Sequence, residues 1–166
     1  MLDLMDIKIL EILQQDCTLP VAEIGKAVGL STTPCWRRIQ KLEEAGIIQR
    51  RVAVLDANKV DAGVTVFVSI STNKHSIDWL QAFHAAIIEF PEVVEFYRMS
   101  GQVDYLLRVV VPSIAAYDLF YKKLISRIEL SNVSSAFAME QVKCTTALPL
   151  DYVRARAKNG TSHDDA

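Results

Sequence analysis

Between Gly29 and Ile48 the chain gathers side chains suited to gripping a polyanion and reading hydrogen-bonding edges. Arg37, Gln40 and Lys41, with Trp36 and Arg38 beside them, are residue types that reach phosphates and base edges, and Ser31, Thr32 and Thr33 add hydroxyls just upstream. Spacing turns the list into a surface. At about 3.6 residues per turn, Cys35, Ile39, Leu42 and Gly46 share one helix face, while Trp36, Arg37, Gln40, Lys41 and Glu44 spread over the other. One face packs and the other can touch something. The plain alternative is the solvated side of an ordinary three-helix bundle.

The helix that carries this face has local start and stop signals. The Ser/Thr run offers N-cap oxygens and Pro34 suits a first helical position, so the helix is expected to begin at Thr33 or Pro34. Gly46 ends it as a C′ glycine, with Ile47 and Ile48 anchoring the exit. Upstream, Leu4, Ile7, Leu10 and Ile12-Leu13 predict a first amphipathic helix, and Val21, Ile24 and Val28 a short second one after Pro20. Gly29, free to take a positive φ, makes the turn. Three helices in this order form a helix-turn-helix, whose last helix enters the major groove of double-stranded DNA.

Composition narrows the function classes. The 166 residues carry a net charge of −2, which argues against a general nucleic-acid coat, so any DNA-binding charge must be local. It is local: from Ser31 to Arg51, the cations Arg37, Arg38, Lys41, Arg50 and Arg51 face only Glu43 and Glu44. No uncharged run approaches the roughly 18 residues of a membrane span, and Asp3 and Asp6 stand where a signal peptide would carry Lys or Arg. A cytoplasmic protein is expected, without membrane contact. Cys17, Cys35 and Cys144 are scattered and do not cluster with His75, His84 or His163, so no metal site is expected. Cys35 reads as a small buried apolar residue and Cys17 as half exposed. No nucleophile–base pair or phosphate loop is visible, so neither catalytic residues nor a cofactor is expected.

Beyond Ile48 the pattern changes to strands. Gln49 to Leu55 alternates like a strand, in which Arg50 and Arg51 would form a basic wing or simply the solvent side, and Asp56 to Gly63 reads as a polar connection. From Val64 the order is strand, helix, strand, strand, helix, strand: Val64–Ile70, Ile77–Phe90, Val93–Met99, Asp104–Val111, Ile114 to about Ile128, and Val133–Thr146. Ser113 is placed to cap the second of these helices, and Ser76 the first, with Trp79 in the core and His75 beside them. This βαββαβ order is the ferredoxin-like plan, with both helices on one face of an antiparallel sheet. The other face, or the strand edges, is expected to meet another subunit. The expected class is α+β: a winged helix-turn-helix domain at 1–50, a strand and linker at 51–63, a ferredoxin-like, ACT-like domain at 64–150, and a disordered tail at 151–166, which lacks an apolar period.

Two motifs together point to a family. Thr33-Pro34-Cys35 opening the third helix, Leu42-Glu43-Glu44-Ala45-Gly46-Ile47-Ile48 closing it, and Ser100-Gly101-Gln102-Val103-Asp104-Tyr105-Leu106-Leu107 downstream resemble the leucine-responsive and asparagine regulators of bacteria and archaea. The likeness runs from about Leu2 to Leu150. Leu13 to Leu19, Phe137 to Lys143 and Thr145 to Pro149 are similar to the branch containing the cysteine-responsive regulator of cysteine detoxification.

The resemblance implies a transcriptional regulator without enzymatic activity. Its DNA contacts would come from Ser31, Thr32, Thr33, Trp36, Arg37, Arg38, Gln40 and Lys41, and its dimers would assemble further, to an octamer or related ring. It also implies a small amino-acid effector, cysteine first, held near Ser100, Gly101, Asp104 and Tyr105. A glycine lets such a ligand approach backbone N–H groups, and a carboxylate such as Asp104 can pair with its ammonium. Gln102-Val103 replaces an acidic residue and an aromatic found in many relatives, which leaves the ligand open. On the residues alone, Gly101 and Asp104 equally suit a plain turn and Tyr105 the sheet core. An amino-acid-binding module acting through protein partners is the alternative, and it would lack salt-dependent DNA affinity.

Overall fold

The computed structural model describes residues 2–73 and 76–160. The described parts of Met1–Ala53 and Lys143–Ala166 form one compact unit, and those of Val54–Val142 a second. The first unit is helical. Helices α1 (Leu4–Leu13), α2 (Val21–Val28) and α3 (Thr32–Glu44) enclose Ile9, Leu13, Ile24, Val28, Cys35, Ile39 and Leu42. The two glycine signals act as expected, whereas α3 begins at Thr32, a residue before the expected start, so that Pro34 takes its third position and not its first. Gly29 takes φ 78° past α2, and Leu30 N–H reaches back 2.8 Å to the Gly25 carbonyl. Gly46 takes φ 68°, with its N–H on Glu43 O at 2.9 Å and Ile47 N–H on Leu42 O at 3.0 Å, the paired bonds of a Schellman cap.

Two further features of this unit differ from the sequence-based expectation. Ser31 occupies the N-cap of α3, yet its side chain makes no cap hydrogen bond. The tail expected to be disordered from 151 instead begins with α6 (Asp151–Gly160), which packs on α1. Arg154 pairs with Glu11, and the Gln14 amide is bonded twice to the Leu148 backbone, donating to O and accepting from N–H, both at 3.0 Å. What holds the tail is thus contact with α1, far along the chain, which a lack of apolar period in the tail itself does not reveal. Residues 143–150, expected at the end of the second domain, pack with the helical unit. The end of the tail, 161–166, lies outside the described residues.

The second unit is a four-stranded antiparallel sheet of β1 (Val64–Ser71), β2 (Val93–Arg98), β3 (Tyr105–Val111) and β4 (Asn132–Phe137), in the order β2-β3-β1-β4. Alternation in β1 and β3 sends Val66, Val68, Ile70, Tyr105, Leu107, Val109 and Val111 to one face. There α4 (Ile77–Ile88) contributes Phe83 and Ile87, and α5 (Ile114–Arg127) contributes Tyr117, Phe120 and Leu124. Serine caps start both helices: Ser76 Oγ accepts from Trp79 N–H at 3.3 Å and Ser113 Oγ from Ala116 N–H at 3.1 Å. Trp79 stacks on Phe83 with centroids 5.0 Å apart. His75 lies outside the described residues.

Two expected strands are shorter or missing. Residues 49–55 join no ladder: a strand needs a partner segment for its hydrogen bonds, and none of the described strands pairs with them, so no wing strand forms among the described residues. The last strand ends at Phe137 rather than Thr146. Its neighbour β1 begins at Val64, and after Ala138 N–H donates to Thr65 O at 2.9 Å the ladder has no partner left.

Candidate nucleic-acid interface and effector turn

The capped ends of α3 decide which side chains it displays. Cys35, Ile39 and Leu42 are buried against α1 and α2, and burial pushes the Cys35 thiol up, which keeps it an inert packing group. The opposite side carries Ser31, Thr32, Thr33, Trp36, Arg37 and Lys41, all exposed, with Gln40 half-buried. Because the Ser31 hydroxyl caps nothing, it and the open first-turn N–H groups suit a phosphate oxygen. Arg37 and Lys41 form no ion pair among the described residues. Charge, donors and an aromatic ring thus lie on one convex face.

Two of the expected cations are engaged elsewhere. Arg51 is paired with Glu43 at 2.8 Å. Arg38 turns away from the exposed face toward α1, where its Nη1 lies 2.6 Å from Asp3 and 2.7 Å from Asp6. Its adjacency to Arg37 in sequence hid this, since neighbours on a helix point about 100° apart. Gly25 was not singled out from the sequence, yet it sets how closely the reading helix approaches α2. A Cβ there would sit 2.8 Å from the Leu30 carbonyl oxygen and 3.4 Å from the Cys35 Cβ. A glycine inside a short amphipathic helix was the available signal.

In the sheet unit, the turn between β2 and β3 gathers Ser100, Gly101 and Asp104 at the end of β1. Gly101 takes φ 125°, a conformation that disfavours any side chain. The Asp104 N–H donates to Ile70 O at 3.0 Å, its carbonyl accepts from Met99 N–H at 2.8 Å, and its carboxylate accepts from Thr72 N–H at 2.7 Å. Asp104 therefore ties the turn to the chain leaving β1. Close by, Ser131 Oγ donates to Asn73 Oδ1 at 2.7 Å and accepts from Asn73 N–H at 3.3 Å. Tyr105 parts from the other three: its ring is buried beside Phe83, centroids 4.8 Å apart. The result is a polar, partly exposed turn backed by an aromatic wall.

Comparison with known proteins bears on both regions. Residues 2–43 match the AsnC-type helix-turn-helix domain, and residues 65–148 the Lrp/AsnC ligand binding domain. The chain is 50% identical over 157 residues to the glutamate uptake regulatory protein of Zymomonas mobilis, covering 95% of this chain and 96% of that one. It is 49% identical over 152 residues to the DNA-binding transcriptional activator DecR of Escherichia coli, covering 91% and 100%. A crystal structure of an AsnC family transcriptional regulator from Agrobacterium tumefaciens is 70% identical, with a TM-score of 0.89 over 91% of this chain and 99% of that one. A transcriptional regulator of Neisseria meningitidis, solved as its L-Met complex, is 34% identical, with a TM-score of 0.88 over 92% and 99%.

Proposed function

Because the chain belongs to the Lrp/AsnC family of transcriptional regulators, we propose that its DNA binding answers to a small amino acid held at the Ser100–Asp104 turn. The protein is a DNA-binding regulator with a helix-turn-helix and a separate ligand-binding domain, and its family consists of regulators rather than enzymes. The observation that supports the DNA contact surface is the face of α3, where Arg37 and Lys41 have no ion pair among the described residues and Gln40 and Trp36 lie beside them. The effector reading is supported by the glycine at φ 125° beside a carboxylate, with a relative solved in complex with L-Met. Cysteine, from the branch resemblance, and methionine are the first amino acids to test. No other cofactor is invoked.

A homo-oligomer, a dimer assembling toward an octamer, is part of the same proposal. Its support is the unladdered segments on either side of the sheet unit, where Val52, Val54, Leu55, Met139 and Val142 are exposed. Among the described residues no helix is long and apolar enough to cross a membrane, and we place the regulator in the cytoplasm with its DNA.

Fluorescence anisotropy on a duplex from the protein's own upstream region, at two salt concentrations and with each amino acid in turn, tests both halves. Tight, salt-sensitive binding that one amino acid shifts is the expected result. Asp104→Asn keeps an acceptor for Thr72 N–H but removes the charge, and it should abolish that shift while leaving binding without the amino acid intact. Tight binding that no amino acid moves would overturn the effector half alone.

A further inference from the structure

The N-terminal cap of α1 and the reading helix share a guanidinium. Asp3 Oδ1 accepts from the N–H groups of Met5 and Asp6, both at 2.8 Å, and Asp6 Oδ2 accepts from Asp3 N–H at 3.2 Å, a reciprocal capping box. Each carboxylate has one oxygen left. Both remaining oxygens, Asp3 Oδ2 and Asp6 Oδ1, converge on Arg38 Nη1 at 2.6 and 2.7 Å. All four carboxylate oxygens are thus committed, two to the helix cap and two to α3, and the Asp6 side chain is only 16% exposed.

We propose that Arg38 is a positioning residue for DNA recognition, which clamps the capping box of α1 to α3 and so sets the attitude of Arg37 and Lys41, rather than a contact to DNA. Asp3, Asp6, Arg37, Arg38 and Lys41 line one open groove of about 790 Å³ between the start of α1 and α3. The clamp forms one wall of that groove and the reading cations its rim. Loosening the wall removes the polar tie from the start of α1 to α3, and leaves the attitude of α3 to its packed face alone. Charge supports the assignment. The cluster of one cation and two carboxylates is net negative, so Arg38 offers a phosphate little attraction while it is held there. The proposal rests on the DNA-binding reading and not on the effector.

The experiment compares Arg38→Met, which keeps the aliphatic stem, with Asp3→Asn/Asp6→Asn, which keeps capping oxygens but releases the guanidinium. Each full-length variant is titrated against the upstream duplex and a random duplex of equal length, over a salt series, after thermal melts establish folding. The clamp requires both variants to lose about tenfold in affinity for the upstream duplex, the scale of one lost base contact. Random-duplex affinity and the salt slope should be unchanged in Arg38→Met, whereas Lys41→Ala, as the phosphate control, should lower the slope by about one. A fall of Arg38→Met on both duplexes with a slope lower by about one would overturn the proposal. So would stronger upstream binding by Asp3→Asn/Asp6→Asn, the sign expected if a released Arg38 reached a phosphate. If Arg38→Met does not fold, the Asp variant decides alone, since the two accounts give it opposite signs. Absence of binding by the unmodified chain would overturn the DNA reading itself, a result distinct from any of these.

Discussion

The two units are stabilised in different ways, and each way suits its task. The sheet unit surrounds fourteen buried apolar side chains, with Trp79, Phe83, Phe96 and Tyr105 in mutual ring contact. The helical unit has a main cluster half that size, and relies besides on polar staples between distant segments: Arg38 with Asp3 and Asp6, Gln14 with the Leu148 backbone, Arg154 with Glu11. A thick apolar core suits a ligand-binding domain that must hold its shape. Polar staples leave the outer face of a small reading unit charged, and they make that unit sensitive to salt, acid and truncation.

The largest expected effect tests the sheet unit. Phe83→Ala removes a fully buried ring in contact with those of Trp79, His84, Phe96 and Tyr105, and should cost about 3–5 kcal/mol. Single-tryptophan variants would report the units separately, since Trp36 lies in the helical unit and Trp79 in the sheet unit. In urea, the Trp79 transition should shift to lower denaturant while that of Trp36 holds; a shared shift would show that the units unfold as one.

Gly25→Ala should come next, at about 1–3 kcal/mol, because its Cβ would meet a backbone carbonyl that cannot swing away. Here the Trp36 signal moves and that of Trp79 does not. A neutral or stabilising result would mean that α2 and α3 can part without cost, and that the turn geometry is softer than the 2.8 Å approach implies.

The smallest effect is a difference in pH response. Burial raises the Asp3 carboxyl, but the Asp6 N–H and the Arg38 guanidinium outweigh it and hold the group below its ordinary value. A depressed carboxylate contributes stability above about pH 4, and this is lost as pH falls through the folded-state value. In the sheet unit, burial pushes the Tyr117 hydroxyl above the ordinary tyrosine range. That contribution is present below about pH 10 and lost as pH rises through the folded-state value. The helical unit should therefore soften first in acid and the sheet unit first in alkali. Asp3→Asn should flatten the acid limb of the Trp36 signal; an unchanged limb would assign it to other carboxylates.

What could be read without coordinates was whatever depends on a few neighbours in the chain. The caps at Gly29 and Gly46, the serine caps of α4 and α5, and the alternation of β1 and β3 follow from backbone preference and periodicity within a turn or a strand. The family resemblance was readable for the same reason, since its motifs are contiguous. Unreadable were the features that need a partner far along the chain: residues 49–55 look like a strand but pair with no described strand, and α6 looks aperiodic until α1 is beside it.

By itself, then, the sequence determined the helix-turn-helix, the βαββαβ order and the set of residues on the reading helix. Local φ/ψ preference and hydrophobic period are properties of short windows. Tertiary structure alone decided how the cations in and just beyond that helix are engaged, pairing Arg38 with Asp3 and Asp6 and Arg51 with Glu43. It also decided that Asp104 ties down a strand end while Tyr105 enters the core. An ion pair or a buried ring depends on distances across the fold, between residues that no short window of sequence contains.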